Sequence, residues 1–136
     1  MYQIKILCIG KSAPSWIQEG MDLYEKRLKG RMHLSWYLYR DEGQLERNLK
    51  HSGIVCLLDP AGELYDSPSF ATKLSTSLHW TFLIGGSTGF SDAFKSKIGT
   101  KISLSKMTFT HEATRFLLAE QLYRAVDILS NGHYHK

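Results

Sequence analysis

The sequence predicts an α/β fold: one domain over residues 1–136, built on an open, mostly parallel sheet of about five strands flanked by helices. Short apolar runs rich in β-branched residues alternate with longer amphipathic stretches, which is the pattern of parallel strands joined by helical crossovers. The chain has 136 residues, of which 43% are apolar, and this is enough for one compact core. No repeat, linker or low-complexity tract divides it.

Five short runs have the apolar, β-branched or aromatic content of strands. The third and fourth are apolar at almost every position and are predicted to be buried on both faces of the sheet. The second alternates between apolar and polar residues, so it is predicted to lie nearer an edge. The strands are predicted over residues 3–9, 33–39, 53–59, 80–84 and 101–105.

Helices are predicted between these strands. Ser15, followed by Gln18 three residues later, matches a capping box and predicts a helix over residues 15–29. The next three helices are shorter: one around Leu45 and Leu49, one that starts at Pro68 behind Ser67 and runs toward Leu78, and a brief one capped by Ser91.

The last helix, predicted over residues 112–130, has the strongest pattern in the chain. Its apolar residues cover about half of the circumference, more than the roughly 100° that packing on a sheet requires. Two explanations fit this width: burial of a second flank against another copy of the chain, which we favour, and a deep core within one chain. The apolar positions are Phe116, Leu118, Ala119, Leu122, Tyr123, Ala125, Val126 and Leu129.

The composition indicates a cytoplasmic protein. Cys8 and Cys56 each lie within an apolar run, which predicts two buried, reduced thiols rather than a disulfide or a metal site. The N-terminus lacks the basic and apolar regions of a signal peptide, and no apolar run approaches the length of a membrane span. We therefore expect neither secretion nor membrane insertion.

The positive charge is concentrated toward the C-terminus. Residues 1–94 contain ten Lys or Arg and ten Asp or Glu, whereas residues 95–136 contain seven and three, so the whole excess of +4 lies in the second part. Such an excess suits a polyanionic partner such as RNA. Candidate phosphate contacts are Lys95, Lys97, Lys101 and Lys106, with an ordinary solvated surface as the alternative.

A ligand site is predicted where the third, fourth and fifth strands end. Gly85-Gly86-Ser87-Thr88-Gly89 follows the fourth strand, and the missing side chains let a ligand approach the backbone. The cluster is not a P-loop, because no Gly-Lys-Ser/Thr follows it. It does not match a dinucleotide-binding fingerprint either, because that motif follows the first strand and has an acidic residue about twenty positions later. Ligands of open parallel sheets bind beyond the carboxyl ends of the strands, so residues 59–62 and 105–110 are predicted to meet the glycine cluster there.

Five segments of the sequence, taken together, identify a protein family far more specifically than any one of them does. They are residues 57–62 (LLDPAG), 82–90 (FLIGGSTGF), 103–109 (SLSKMTF) with His111, 120–125 (EQLYRA) and 134–136 (YHK). In this order and spacing they resemble the bacterial 23S rRNA pseudouridine N3-methyltransferases, the RlmH family of the SPOUT, or α/β-knot, superfamily. The resemblance runs the length of the chain and is strongest from residue 54 onward.

The resemblance implies a fold and an activity. The chain would carry a C-terminal trefoil knot, and two copies would form a homodimer. The activity would be methylation of N3 of a pseudouridine in helix 69 of 23S rRNA, on the ribosome or its large subunit. S-adenosylmethionine would be the methyl donor. The resemblance implies no metal cofactor and no binding of DNA or a membrane. The cofactor contacts carried over are Leu58, Gly85, Leu104, Ser105, Lys106, Met107, Thr108 and Phe109.

Arg115 is the first candidate for catalysis. A base that loses its N3 proton sheds negative charge onto its ring, and a nearby cation would stabilise this charge. Arg115 lies in the apolar half of the last helix, at the turn beside the cofactor loop, where a charge needs a partner. A structural ion pair with Glu112, or one across a dimer, is the alternative.

Three further candidates lie near the C-terminus. The resemblance assigns Arg124 to placing the target nucleotide, although Glu120 four residues earlier also suits a solvated ion pair. Tyr134 and His135 are predicted to stack on or hydrogen-bond the base, and the resemblance implies that they do so at the partner's cofactor site. A frayed tail is the alternative.

Two other functions remain open at this point. A non-catalytic RNA- or ribosome-binding module would use the basic C-terminal part alone, and a nucleotide-phosphate enzyme would use the glycine cluster. Binding of S-adenosylmethionine, but not of ATP or NAD, distinguishes the methyltransferase from both. A metal site is not predicted, because His133 and His135 have no clear third ligand.

Overall fold

A computed structural model describes residues 1–136. Strands and helices alternate along the chain, as the sequence pattern predicts. The strands are β1 (Tyr2–Ile9), β2 (Met32–Tyr39), β3 (Ile54–Leu64), β4 (His79–Ile84) and β5 (Thr100–Ser103). The helices are α1 (Ser15–Leu28), α2 (Glu42–Asn48), α3 (Ser67–Leu74), α4 (Asp92–Lys95) and α5 (His111–Leu129).

The five strands form one sheet with the order β2-β1-β4-β3-β5, in which every neighbouring pair is parallel. The predicted α/β fold with a parallel sheet is confirmed, and β2 lies at an edge, as its alternating pattern indicates. β5 pairs with β3 and not with β4, which precedes it along the chain. This order is compatible with the C-terminal knot, which stays a prediction.

Helices cover both faces of the sheet. α1, α3 and α5 pack on one face, in a core that includes Leu28, Phe70 and Leu122. α2 and α4 pack on the opposite face through Leu45 and Phe94. Because both faces are covered, the strand ends are the part of the sheet left to present loops to a ligand.

The capping box predicted at Ser15 is absent. Pro14 is the N-cap of α1, and no side chain caps this helix. Ser15 is already inside the first turn, so its hydroxyl is one residue too late to serve as an N-cap. The Gln18 side chain donates instead to Asp22, at 2.9 Å.

A capping box does form at α3. The Asp66 carboxylate accepts from the Ser69 backbone at 2.9 Å, and the Ser69 hydroxyl accepts from the Asp66 N–H at 3.1 Å. α3 therefore begins one residue before Pro68, and it ends at Leu74, well short of the predicted end. Trp80 Nε1 donates to the Leu74 carbonyl at 3.1 Å and so takes the acceptor that a further helical turn would need.

Residues 59–62, predicted as a loop, belong to β3. Leu58 and Glu63 both pair with Ile102 of β5, so the residues between them bulge out of the ladder. Gly62 serves packing, because a Cβ there would lie 2.8 Å from the backbone of β5. The bulge still starts at the carboxyl edge of the sheet, where the ligand site is predicted.

The broad apolar stripe of α5 is largely buried within the chain. α5 lies between α1 and α3 and also contacts β4. Leu118, Leu122 and Ala125 are fully buried, and Phe116 packs on Tyr24 of α1 with ring centroids 5.8 Å apart. This core accounts for most of the stripe, so the width of the stripe no longer argues for a homodimer, which stays a prediction. No helix combines the length and the apolarity that crossing a membrane requires.

Cys8 and Cys56 are free and buried, as predicted. Burial raises the pKa of each thiol to about 12. The thiolate is the reactive form, so neither thiol should react at mildly alkaline pH while the chain is folded. We expect a disulfide reagent such as DTNB to modify neither cysteine of the folded protein and both after denaturation. Rapid modification of the folded chain would contradict this placement.

Candidate functional site

A cavity of about 750 Å³ opens at the carboxyl edge of the sheet. Three segments form most of its wall, as the sequence predicts: the end of β3, the glycine cluster after β4 and the segment after β5. The first turn of α5 adds a further wall, with His111, Glu112 and Thr114, none of which was among the predicted cofactor contacts. The volume falls in the range of small-molecule sites, about 300–1,000 Å³.

Seven of the eight predicted cofactor contacts line this cavity. Lys106 is the exception, since it belongs to the same segment but is not part of the wall. β5 ends at Ser103, before the predicted strand end, so residues 104–110 are free of the sheet and curve around the cavity. The seven are Leu58, Gly85, Leu104, Ser105, Met107, Thr108 and Phe109.

The glycine cluster forms a tight turn. Gly89 has a φ of +71°, which favours glycine, and its N–H donates to the Gly86 carbonyl at 3.0 Å. A Cβ at Gly85 would lie 3.1 Å from the Gly89 Cα and 3.3 Å from the Phe90 ring. Gly85 is therefore needed for the packing of the turn itself, in addition to any approach by a ligand.

A carboxylate of α2 holds the far end of this turn. Glu42 accepts two hydrogen bonds from Ser91, one from its N–H and one from its hydroxyl, both at 2.7 Å. Ser91 also caps α4, as predicted, by accepting from the Phe94 N–H at 3.2 Å. Nothing in the sequence near Glu42 indicates this role, because its contact with Ser91 spans 49 residues.

An ion pair forms part of the cavity wall. Asp59 Oδ2 lies 3.3 Å from Lys95 Nζ, and both residues line the cavity. The Asp59 side chain is only 10% exposed and also accepts from the Ala61 N–H at 3.1 Å. Lys95, predicted as a phosphate contact, is thus held by a carboxylate of the chain. The wall offers both signs of charge to a polar ligand.

Two more of the predicted phosphate contacts are engaged within the chain. Lys97 forms an ion pair with Glu46 at 2.7 Å. Lys101 Nζ donates to the Ile98 carbonyl at 2.7 Å. Lys106 is exposed and forms no ion pair. The positions of lysines along the sequence therefore do not show which cations are free to bind RNA.

Arg115 is 2% exposed and does not line the cavity. Its Nη1 donates to the Lys11 carbonyl at 2.8 Å, and a Cβ at Gly10 would lie 3.3 Å from its Nη2. Glu112, the alternative ion-pair partner, instead lies 3.4 Å from His111. Arg115 thus joins the first turn of α5 to the end of β1. Within this chain the buried guanidinium does not contact the cavity, and its catalytic role stays a prediction.

The other three catalytic candidates meet at the opposite end of α5. Arg124 Nη2 lies 3.2 Å from Glu120, and Arg124 Nη1 lies 3.0 Å from Nδ1 of His135. The Tyr134 hydroxyl donates to Glu120 at 2.9 Å and lies 3.1 Å from the hydroxyl of Tyr24. We call these five residues the tail cluster. The Glu120–Arg124 ion pair, considered above as an alternative to a site, is its centre.

The C-terminal tail is held in place rather than frayed. The Asp127 carboxylate accepts from the Tyr134 N–H at 2.9 Å, and the Asp127 carbonyl accepts from the Gly132 N–H at 2.8 Å. A side chain at Gly132 would collide with Asp127. The Arg124 guanidinium lies over the Tyr134 ring, 4.7 Å from its centroid. These contacts fix the orientation of the tail against α5.

The tail cluster combines hydrogen-bond donors with one permanent positive charge, on Arg124, and the carboxylate of Glu120 that pairs with it. Burial raises the pKa of Tyr134 well above its ordinary value, and the hydrogen bonds to Tyr24 and Glu120 raise it further. Tyr134 is therefore a neutral phenol that donates. Arginine only donates, so Nδ1 of His135 must accept from Arg124, which leaves the proton of a neutral ring on Nε2.

The tail cluster does not reach the cavity of its own chain. No residue beyond Thr114 lines the cavity. α5 rises about 1.5 Å per residue, so Arg124 lies roughly 20 Å along the helix from His111 at the cavity wall. The predicted site is therefore divided into two separate halves within one chain.

Comparison with known sequences identifies close relatives. Residues 2–135 match the family model described as "Predicted SPOUT methyltransferase". A protein from Protochlamydia amoebophila (strain UWE25), named ribosomal RNA large subunit methyltransferase H, is 40% identical over 100% of both chains. A protein of the same name from Prochlorococcus marinus (strain NATL2A) is 39% identical over 97% of this chain and 94% of that protein.

The fold also has a solved counterpart. A probable methylase family protein from Haemophilus influenzae Rd KW20 superposes with a TM-score of 0.63 over 98% of this chain and 70% of that chain. The two are 14% identical, so this likeness concerns the fold alone. Since the family model covers residues 2–135 and the curated relatives match over nearly their full length, the chain belongs to the SPOUT methyltransferase family.

Proposed function

We propose that this chain transfers the methyl group of S-adenosylmethionine to N3 of a pseudouridine in helix 69 of bacterial 23S rRNA, in the cytoplasm and on the ribosome or its large subunit. The observation that carries the proposal is a ligand-sized cavity walled by three segments that resemble one methyltransferase family. The names of the relatives, which are large-subunit rRNA methyltransferases, support the class of acceptor.

The cavity fits S-adenosylmethionine by its own chemistry. Leu58 and Phe109 provide apolar surfaces for an adenine ring, and residues 104–109 have backbone groups free of the sheet that can hydrogen-bond its edge. Asp59 and Lys95 suit the polar groups of the amino-acid end. When bound, the cofactor supplies an electrophilic methyl group on a sulfonium. The chain's part is to hold this methyl in line with the acceptor and to exclude water.

The tail cluster fits the acceptor base. Loss of the N3 proton leaves negative charge on the pyrimidine ring, and preorganised donors stabilise such charge. Arg124 supplies a permanent cation and His135 an Nε2–H in its neutral form. The single O–H proton of Tyr134 is donated to Glu120, so Tyr134 orders the cluster rather than donating to the base. Their contacts with one another fix these groups before a substrate arrives.

A homodimer would bring the two halves together. Within one chain Arg124 lies roughly 15 Å along α5 from Thr114, the last residue of the cavity wall, whereas in-line transfer needs reacting atoms about 3–3.5 Å apart. If the tail cluster of one protomer lies against the cavity of its partner, the two-fold symmetry of a dimer completes two equal sites.

Calorimetry tests the cofactor half of this proposal. We expect S-adenosylmethionine to bind the purified protein with one site per chain, and ATP and NAD to give no specific heat. A non-catalytic RNA-binding module would bind none of the three. A nucleotide-phosphate enzyme would bind ATP or NAD, and either result would refute the proposal.

Mass spectrometry of 23S rRNA tests the acceptor half. We compare rRNA from cells with the gene, without it, and with it restored on a plasmid. The expected result is one methyl group on a pseudouridine of helix 69 that disappears with the gene and returns with the plasmid. A methyl group lost at another nucleotide would assign a different acceptor.

A further inference from the structure

Two arginines near the C-terminal end of α1 have no acidic partner. Arg27 is exposed and Arg31 is half-buried, and neither takes part in an ion pair. Their one shared hydrogen bond runs from Arg31 Nη2 to the Arg27 carbonyl, at 3.3 Å. Both guanidinium groups therefore keep most of their N–H donors free, unlike Lys95, Lys97 and Lys101.

Aromatic rings hold both guanidinium groups. The Arg27 guanidinium lies 5.3 Å from the ring centroid of Tyr24 and 5.8 Å from that of Tyr123. The Arg31 guanidinium lies 5.5 Å from the centroid of Tyr123 on α5. A guanidinium held over a ring keeps its N–H edges available, and these edges match the geometry of a phosphate group. Because the side chains are already ordered, binding costs them less conformational entropy.

This surface is continuous with the tail cluster. The rings of Tyr24 and Tyr123 are 5.7 Å apart, and the rings of Tyr123 and Tyr134 meet edge to face at 4.8 Å. Tyr24 belongs to both groups, since its hydroxyl lies 3.1 Å from that of Tyr134. RNA whose target base meets the tail cluster would therefore have neighbouring nucleotides within reach of Arg27 and Arg31.

We infer that Arg27 and Arg31 bind phosphates of the RNA that flanks the target nucleotide. The identity of the RNA rests on the proposed function, whereas the position of the binding surface rests on the contacts above. Phosphate contacts of this kind set the register of a nucleic acid without reading its sequence. The two arginines would thus position the substrate rather than select the base.

The other side of α1 provides a matched control. Lys26 and Lys29 lie on the same helix end, in a groove that they share with Asp22 and Glu25. The double variant R27Q/R31Q and the double variant K26Q/K29Q each remove two positive charges from the same region. Only R27Q/R31Q removes charges that lie next to the tail cluster.

RNA binding is measured with a fluorescently labelled helix 69 hairpin over a range of salt concentrations. We expect R27Q/R31Q to bind the hairpin about tenfold more weakly and to lower the slope of log affinity against log salt by about 1.5, for two lost phosphate contacts. K26Q/K29Q should keep both the affinity and the slope. Calorimetry should give the same affinity for S-adenosylmethionine in both variants and in the unaltered protein.

The outcomes separate this inference from the proposed function. Equal weakening in the two double variants would reveal a general effect of charge and overturn the inference. Dissociation of the dimer in R27Q/R31Q alone, seen by sedimentation, would also overturn it, because the arginines would then serve a subunit contact. The unaltered protein could bind the hairpin through these arginines and yet transfer no methyl group to it. This result would support the RNA-binding surface and refute the proposed function. Methyl transfer by R27Q/R31Q with an unchanged KM for RNA would refute the role of the two arginines and leave the proposed function standing.

Discussion

Valine in place of Gly85 is expected to abolish binding of S-adenosylmethionine. Even a single Cβ at this position would lie 3.1 Å from the Gly89 Cα and 3.3 Å from the Phe90 ring, and valine adds two further methyl groups. The turn must then move into the cavity or away from it, and either movement changes the part of the cavity wall that the glycine cluster forms. Calorimetry should detect no binding, while the far-UV circular dichroism spectrum stays that of the unaltered protein.

Gly99 offers a control for this substitution. A Cβ at Gly99 would meet nothing within 4 Å, so Gly99→Val adds the same side chain without a collision. This variant should bind the cofactor as the unaltered protein does. Retained affinity in Gly85→Val would show that the glycine cluster does not form the cofactor site.

Removal of residues 133–136 is expected to reduce methyl transfer by about 100-fold or more, since loss of one preorganised donor in other enzymes costs roughly 10²–10³ in rate. The deletion removes Tyr134 and His135 and leaves Arg124 and Glu120 without their tail partners. Affinity for S-adenosylmethionine should fall much less than the rate, because no tail residue lines the cavity of its own chain. The rate is measured with tritiated cofactor on RNA, and the affinity by calorimetry.

Two further variants separate a role in the reaction from a role in stability. Tyr134→Phe removes only the hydroxyl that donates to Glu120 and should lower the rate without lowering the thermal midpoint by more than a few degrees. His133→Ala alters an exposed residue outside the tail cluster and should be fully active. An unchanged rate in the deletion variant would exclude the tail from the mechanism.

A mixture of the two inactive proteins tests whether each site is shared between protomers. In a heterodimer of Gly85→Val and the tail-deleted chain, one cavity is intact and faces an intact tail. Refolding the two together should therefore restore about a quarter of the full activity, because half of the dimers are mixed and each has one complete site of two. No recovery, with mixed dimers shown by mass spectrometry, would mean that each site lies within one chain.

Local patterns in the sequence predict the fold well. The five strands lie within one or two residues of their predicted starts, because apolar runs and their alternation report directly how many faces of a strand are buried. The ends are less well predicted where a tertiary contact intervenes. α3 stops at Leu74, whose carbonyl accepts from the Trp80 indole and from the Ser77 N–H. β3 continues through residues 59–62 because β5 pairs with it on both sides of a bulge.

The position of the cavity also follows from the sequence. Seven of eight predicted residues line one cavity, because parallel strands bring their carboxyl ends, and the segments that follow them, to one edge of the sheet. The residues that brace this cavity do not follow from the sequence. Glu42 reaches Ser91 and Asp59 reaches Lys95 across long stretches of chain, and neither pair has a periodic signature.

The sequence by itself determined the class of fold, the edge of the sheet where the cavity opens and the family to which the chain belongs. Only the tertiary structure decided which charges are free. It buries Arg115 away from the cavity, engages three of four predicted lysines within the chain, and leaves Arg27 and Arg31 stacked beside the tail cluster. The physical reason is that apolar periodicity is local along a chain, whereas the partner of a charge is chosen by whatever the fold brings within a few ångströms of it.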